Sequence, residues 1–125
     1  MAKQRVAGSQ PAGAYSPGII AEGRFVYVSG QAPIRDGIVV GETTGEQTQI
    51  ALENVASVLA EAGATPADVV RCGVFLTDIS DFGEMNSVYA EFFPDPLPAR
   101  TTVGAQLATG FKVEIDCVAV LPEQG

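Results

Sequence analysis

Two strand-like segments that are apolar on both faces constrain the fold more than any other feature of the sequence. Residues 24–31, RFVYVSGQ, and residues 69–78, VVRCGVFLTD, carry β-branched and aromatic residues at consecutive positions. A strand of this kind has to be covered on both sides of its sheet. In the folded protein, both faces of the sheet must therefore be packed against other structural elements.

Helical periodicity of apolar residues predicts two helices, over 44–62 and 82–93. Asp81 and Glu84 are expected to cap the second helix. The possible capping boxes of the first helix are Thr43 with Glu46 and Thr44 with Gln47. Further strands are expected at 3–6, 19–20, 37–42, 101–105 and 111–121.

This order of elements predicts a single α+β domain, residues 1–125, built on a mixed sheet with both helices on one face. Two helices cover only one face, whereas several strands are apolar on both. The second cover has to come from outside the chain, because no further segment is available. We therefore expect a homo-oligomer that packs sheet against sheet.

The charge balance disfavours nucleic acids and anionic membrane surfaces as partners. Seven Lys and Arg residues stand against fifteen Asp and Glu, which gives a formal net charge of −8. Phosphate backbones and anionic lipids are bound by clustered cations, and the cations here are scattered. No apolar run is long enough to span a bilayer, and the N-terminal residues lack the apolar core of a signal peptide.

The absence of histidine removes several kinds of active site. A Ser-His-Asp triad, a Cys-His pair and a His-ligated zinc site cannot be assembled from this chain. Cys72 and Cys117 lie inside apolar strand segments without metal-ligand spacing, which is typical of reduced thiols and predicts a cytoplasmic location. Any catalysis must therefore rest on carboxylates, Arg, Tyr, Ser, Thr, Cys, backbone dipoles or water, and no metal or cofactor is expected.

Arg100 and two carboxylates are the strongest candidate functional groups. Arg100 follows a turn stiffened by prolines, in DPLPARTT, so it is either a clamp for a small carboxylate or a surface salt-bridge partner. Glu114 and Asp116 alternate onto one face of the last strand. They form either a solvated strand face or a partly buried general acid/base, and alternation does not distinguish between them because both share that face.

Several blocks of the sequence, in the same order, resemble the Rid family. These are the reactive intermediate (imine/enamine) deaminases, also called YjgF or L-PSP endoribonucleases. The resemblance runs from about Ala14 to Val120. The blocks that carry it are AYSPGIIAEGRFVYVSGQAP, QTQIALENVASVLAEAG, VVRCGVFLTDISDFGEMNSVYAEFF, PARTTV and VEIDCVAV.

The resemblance implies a chorismate-mutase-like α+β fold and a homotrimer with three sites in clefts between subunits. It implies that Arg100 holds the carboxylate of a small substrate and that Glu114 orients or activates water, without metal or cofactor. The positions that it implies for substrate binding are Tyr15, Ser29, Gly30, Asn86, Arg100 and Thr102.

The function implied is hydrolysis of reactive 2-imino or enamino acids, of the 2-aminoacrylate type, to 2-keto acids and ammonia. The chain departs from the family after Arg100, because VGAQLATG stands where members often have VEVARLPKG, and Thr102 stands where some have Cys. An alternative is therefore a non-catalytic trimer that binds a small ligand or a protein. An endoribonuclease is the weakest alternative, because the chain is acidic and has no histidine.

Overall fold

A four-stranded mixed sheet with two helices on one face forms the centre of the structure, a computed structural model that describes residues 3–122. The strands are β1 (Lys3–Val6), β2 (Gly18–Ala21), β3 (Phe25–Gln31), β4 (Ile34–Arg35), β5 (Ile38–Val39), β6 (Val69–Leu76), β7 (Ala99–Gly104) and β8 (Val113–Val120). The helices are α1 (Thr44–Ala62) and α2 (Phe82–Phe92).

The central sheet has the strand order β3-β8-β6-β7. β6 and β7 run parallel, with α2 in the crossover between them, while β8 pairs antiparallel with both β3 and β6. Two smaller antiparallel pairs, β1 with β2 and β4 with β5, complete the described strands. The predicted α+β class and mixed sheet are confirmed.

The core lies between the sheet and the two helices. β8 alternates as its sequence predicts, with Val113, Ile115 and Cys117 buried toward the helices. Helix α1 contacts β3, β8 and α2, so both helices cover the same face of the sheet. Large apolar side chains of the helices, all fully buried, fill this layer: Leu52, Val55, Leu59, Met85 and Tyr89.

The starts of the two helices are bonded to each other, which differs from the prediction for the second helix. The capping box of α1 uses Thr43 with Glu46, the first of the two possible pairs. The Asp81 side chain does not cap α2; it accepts a hydrogen bond of 2.8 Å from the Thr44 hydroxyl. Glu84 accepts one from the Gly45 N–H of α1. These acids therefore satisfy groups at the first turn of α1, where negative charge is also favoured by the helix dipole.

The face of the sheet opposite the helices, called the open face below, exposes large apolar side chains. Phe25 of β3 is 40% exposed, Tyr27 is 76% exposed and Val103 of β7 is 41% exposed. Both helices lie on the other side of the sheet. The sequence predicted this arrangement, in which two helices cover one face and the second apolar face stays uncovered within one chain. None of the helices in residues 3–122 is long and apolar enough to cross a membrane.

Candidate active site

Arg100 is a buried cation on the helix-covered face of the sheet. It is the second residue of β7 and stands opposite Cys72 of β6, whose side chain also points into the core. Only 9% of Arg100 is exposed. The prolines before it end at Pro98, so the chain enters the parallel strand directly from a stiff turn.

Three aromatic rings surround the guanidinium. The Arg100 Cζ atom lies 4.7 Å from the ring centroid of Tyr89, 5.1 Å from that of Tyr15 and 5.2 Å from that of Phe82. We call these three rings the aromatic cage. Distances below about 6 Å allow favourable cation–π contacts, and such contacts strengthen where water is excluded. The three rings pack around the guanidinium and fix its position, but they carry no negative charge to neutralise it.

Only one edge of the guanidinium is bonded. Arg100 Nη1 donates to Asn86 Oδ1 over 2.9 Å, whereas Nε and Nη2 are buried without a hydrogen-bond partner. Nε and Nη2 form the edge that binds a carboxylate through two parallel hydrogen bonds. Within residues 3–122 the structure has one salt bridge, between Arg35 and Glu53, so no described carboxylate pairs with Arg100. Burial lowers the pKa of Arg100 from its ordinary value.

Residues 12–16, called the strap below, lie over this edge. A Cβ atom at Gly13 would stand 2.7 Å from Arg100 Nη2 and 3.0 Å from Asn86 Oδ1, so a side chain there would displace one of them. The Ala14 N–H donates to Asn86 Oδ1 over 3.0 Å. Ser16 bonds the carbonyls of Leu97 and Pro98, which ties the strap to the turn that precedes Arg100.

Two further polar atoms on this face are buried without a partner. They are the hydroxyls of Tyr89 and Thr102. Thr102 follows Arg100 by two positions in β7 and therefore points to the same face. Beneath the cage, burial raises the pKa of Cys72 to about 12. The thiol is therefore neutral at physiological pH and gives Arg100 no counter-ion.

Glu114 lies on the open face, away from Arg100. It stands opposite Phe75 in the β6–β8 ladder, one position out of phase with the buried residues of β8. A Cβ atom added at Gly30 would overlap the Glu114 carboxylate, so that carboxylate rests against the backbone of β3. Ser29 and Gly30 are exposed where the register of β3 with β8 shifts.

Asp116 shares the open face but is already bonded. Its Oδ1 atom accepts a hydrogen bond of 2.9 Å from the Gly73 N–H. A Cβ atom at Gly73 would stand 2.6 Å from that oxygen, so the absence of a side chain allows the approach. Within residues 3–122 the Glu114 carboxylate accepts no such backbone hydrogen bond, and this difference distinguishes two carboxylates that alternation left equivalent.

The chain matches the family model described as Endoribonuclease L-PSP over residues 6–121. It is 46% identical to protein mmf2, mitochondrial, of Schizosaccharomyces pombe over 80% of this chain and 82% of that protein. It is 37% identical to the 2-iminobutanoate/2-iminopropanoate deaminase of Dermatophagoides farinae over 90% of this chain and 89% of the relative. This chain belongs to the L-PSP endoribonuclease family, also known as the Rid or YjgF family. Among solved structures, YyfB of Yersinia pestis, described as a Rid family protein of unknown function, superposes with a TM-score of 0.87 at 27% identity, covering 97% of this chain and all of that one.

Within this Rid-family chain the expected site residues fall into two groups on opposite faces. Tyr15, Asn86, Arg100 and Thr102 lie together on the helix-covered face. Gly30 lies with Glu114 on the open side, with Ser29 next to it. A single chain therefore does not bring Arg100 and Glu114 together, and the family resemblance implied sites in clefts between subunits rather than within one chain.

Sequence reasoning missed Phe82, Tyr89 and Gly13. Phe82 and Tyr89 lie in the helix predicted over 82–93, and neither was expected to belong to a site. Their spacing held a usable signal, because Phe82, Asn86 and Tyr89 at i, i+4 and i+7 lie on one face of α2. This spacing places an amide between two aromatic residues on one helix face, and the fold brings that face against Arg100. Gly13 had no such signal, since its closeness to Arg100 depends on the fold.

Proposed function

We propose that this protein hydrolyses reactive 2-imino and enamino acids to 2-keto acids and ammonia. The observation that carries the proposal is the state of Arg100, a buried cation with a free Nε–Nη2 edge and no described carboxylate beside it. Leaving a buried charge unpaired costs roughly 3–5 kcal/mol, so Arg100 favours an anion that reaches this edge beneath the strap. A small carboxylate fits that edge with two parallel hydrogen bonds.

Holding the carboxylate at Arg100 fixes the neighbouring C=N carbon for attack. Water adds to that carbon, its proton passes to the imine nitrogen, and the resulting carbinolamine loses ammonia to leave a 2-keto acid. Each proton transfer needs one positioned carboxylate or a water bound to it, and such groups contribute about 10²–10⁴-fold. Orientation of the bound imino acid supplies the rest of the acceleration.

We propose Glu114 as the carboxylate for this proton transfer. This assignment requires a second copy of the chain. Arg100 and Glu114 lie on opposite faces of the sheet in one chain. We propose that the site forms in the cleft between subunits of a homotrimer, where the open face of one copy meets the Arg100 pocket of its neighbour. The exposed apolar side chains on the open face favour this packing.

The test couples an amino-acid oxidase, which produces 2-imino acids, to the purified protein and follows the imino acid over time. We expect faster loss of the imino acid than in water alone, with ammonia and the 2-keto acid formed in equal amounts. A panel that includes imino acids with small, branched and aromatic side chains covers the possible substrate range. No acceleration with any member of the panel would overturn the proposed activity.

A non-catalytic carboxylate-binding trimer is the second candidate. The segment after Arg100, VGAQLATG, favours it, because this part of the chain lacks the glutamate that family members often carry there. Binding of a 2-keto acid such as pyruvate without any acceleration of imine hydrolysis would identify this function. RNA cleavage has no comparable support, since the formal net charge is −8 and the sequence lacks histidine.

A further inference from the structure

We propose that Asn86 is a positioning residue that keeps Arg100 without a counter-ion. Its neutral amide occupies the place where a buried arginine ordinarily has a carboxylate partner, so the positive charge stays available to the carboxylate of a ligand. The inference rests on the proposed carboxylate clamp and gives Asn86 a different role from the substrate contact that the family resemblance implies.

The geometry of Asn86 carries the first step. Its Oδ1 atom accepts one hydrogen bond from Arg100 Nη1 over 2.9 Å and a second from the Ala14 N–H over 3.0 Å. An amide oxygen has two lone pairs, so both are used inside the protein. The two donors also fix which end of the amide faces Arg100. The oxygen therefore binds protein groups and is not left for a substrate.

The charge of Asn86 carries the second step. Aspartate has nearly the same shape and would accept the same two hydrogen bonds, but it would add a full negative charge beside the buried guanidinium. A carboxylate fixed at Nη1 would compensate the charge of the guanidinium and so weaken its attraction for a dissolved carboxylate at the other edge. The amide therefore holds the guanidinium by a hydrogen bond while leaving its charge uncompensated.

The strap carries the third step. Asn86 Oδ1 bonds the Ala14 N–H, and Gly13 next to it lies against Arg100 Nη2. One side chain thus fixes the strap and the guanidinium relative to each other, which sets the direction of the free Nε–Nη2 edge. Removing the oxygen would release both partners together.

The test compares Asn86→Asp with the wild type, using pyruvate as the probe. We expect the ligand-free variant to melt at a higher temperature, because its carboxylate pairs with Arg100. We also expect its pyruvate affinity, measured by calorimetric titration, to fall at least about tenfold, equivalent to about 1.4 kcal/mol. A higher melting temperature together with a lower pyruvate affinity would show that Arg100 lacks a counter-ion in the wild type. Damage to the fold would lower both quantities.

Two further variants complete the design. Ser87→Asp adds the same charge at the next, exposed position of α2 and removes the hydrogen bond that the Ser87 hydroxyl donates to the Gly83 carbonyl. It should not raise the melting temperature and should leave the pyruvate affinity unchanged. Asn86→Ala removes the oxygen and should lower both melting temperature and affinity. The proposal is overturned if Asn86→Asp loses affinity without becoming more stable, which indicates direct contact with the ligand. It is also overturned if Asn86→Asp binds pyruvate normally or if the wild type does not bind it.

Imine hydrolysis by the wild type is measured on the same preparation, so the two proposals can fail separately. If the variants show the expected changes in stability and affinity but the wild type does not hydrolyse imino acids, the proposed role of Asn86 stands and the proposed deaminase activity is wrong. If the wild type hydrolyses imino acids and Asn86→Asp remains fully active, only the proposed role of Asn86 is wrong.

Discussion

At the scale of single residues, Arg100 shows what sequence can and cannot reveal about a site. A scarce cation after a proline-stiffened turn indicated an anchored arginine, and the structure places Arg100 directly after that turn, buried in the aromatic cage. Sequence alone left the clamp and the surface salt bridge equally open. Burial and the absence of a paired carboxylate among residues 3–122 decide against the salt bridge.

Replacing the two open-face carboxylates tests which of them handles water. We expect Glu114→Gln to lower the rate of imine hydrolysis by about 10²–10⁴-fold, because the amide cannot accept or return a proton. Asp116→Asn is the matched control, and it should stay active because its amide oxygen can still accept the Gly73 N–H bond. Steady-state rates on one imino acid give the comparison. A loss confined to Asp116→Asn would exchange the two roles.

At the scale of elements, helices were predicted more accurately than short strands. The helix predicted over 44–62 is Thr44–Ala62, because apolar spacing, a capping box and Gly63 all act locally. The strand predicted over 37–42 shrinks to Ile38–Val39. Gly37 and Gly41 flank it with φ angles of 78° and 96°, outside the extended region.

Strand β7 shows the opposite error. It begins at Ala99 rather than at residue 101, because Ala99 and Arg100 pair with Arg71 and Cys72 in the parallel ladder. That pairing joins segments far apart in the chain and leaves no local sequence pattern. The same long-range pairing puts Arg100 on the helix-covered face, so the sequence could offer candidate site residues but could not assign them to the two faces of the sheet.

Cys72 and Cys117 stand opposite each other in the β6–β8 ladder, and together they predict a loss of stability at alkaline pH. Burial raises the pKa of Cys72 to about 12 and also raises the pKa of Cys117. In the unfolded chain a thiol ionises near about pH 8.5. The stabilising contribution of each buried thiol is therefore complete below that pH and is lost as pH rises toward the folded pKa.

Above about pH 8.5 the free energy of unfolding should fall by up to about 1.4 kcal/mol per pH unit for each thiol. Urea titrations from pH 8 to 10.5 at fixed protein concentration measure this slope. Cys72→Ala removes one titrating thiol, so its slope should be shallower even though the cavity makes it less stable at pH 7. Equal slopes for the two proteins would show that the thiol does not cause the effect.

At the scale of the whole molecule, the open face is the feature that one chain leaves incomplete. Strands that are apolar on both faces predicted two covers, and the structure supplies helices on one face only. Composition and strand patterning were sufficient for that inference. The arrangement of the copies was not predictable from patterning, because it depends on the shape of the complete sheet, and the trimer remains a prediction from family resemblance.

Light scattering of the purified protein at micromolar concentration tests this prediction. We expect the mass of three chains, because Phe25, Tyr27 and Val103 would otherwise remain exposed to water. Tyr27→Glu, on the exposed face of β3, should shift the protein toward smaller species by placing a charge in the contact. A wild type that stays monomeric at that concentration would contradict the account of the open face.

The most direct test of the central claim is kcat/KM of Arg100→Lys on the imino acid that the wild type hydrolyses best. Lysine keeps the positive charge but lacks the Nε–Nη2 edge, so the carboxylate should pivot and the C=N carbon should be misplaced. A displacement of about 1 Å can lower the rate on the order of 10²-fold, and we predict a loss of that size in kcat/KM. Arg35→Lys, at an exposed arginine, is the control and should keep wild-type kinetics. Full activity of Arg100→Lys would contradict the carboxylate clamp.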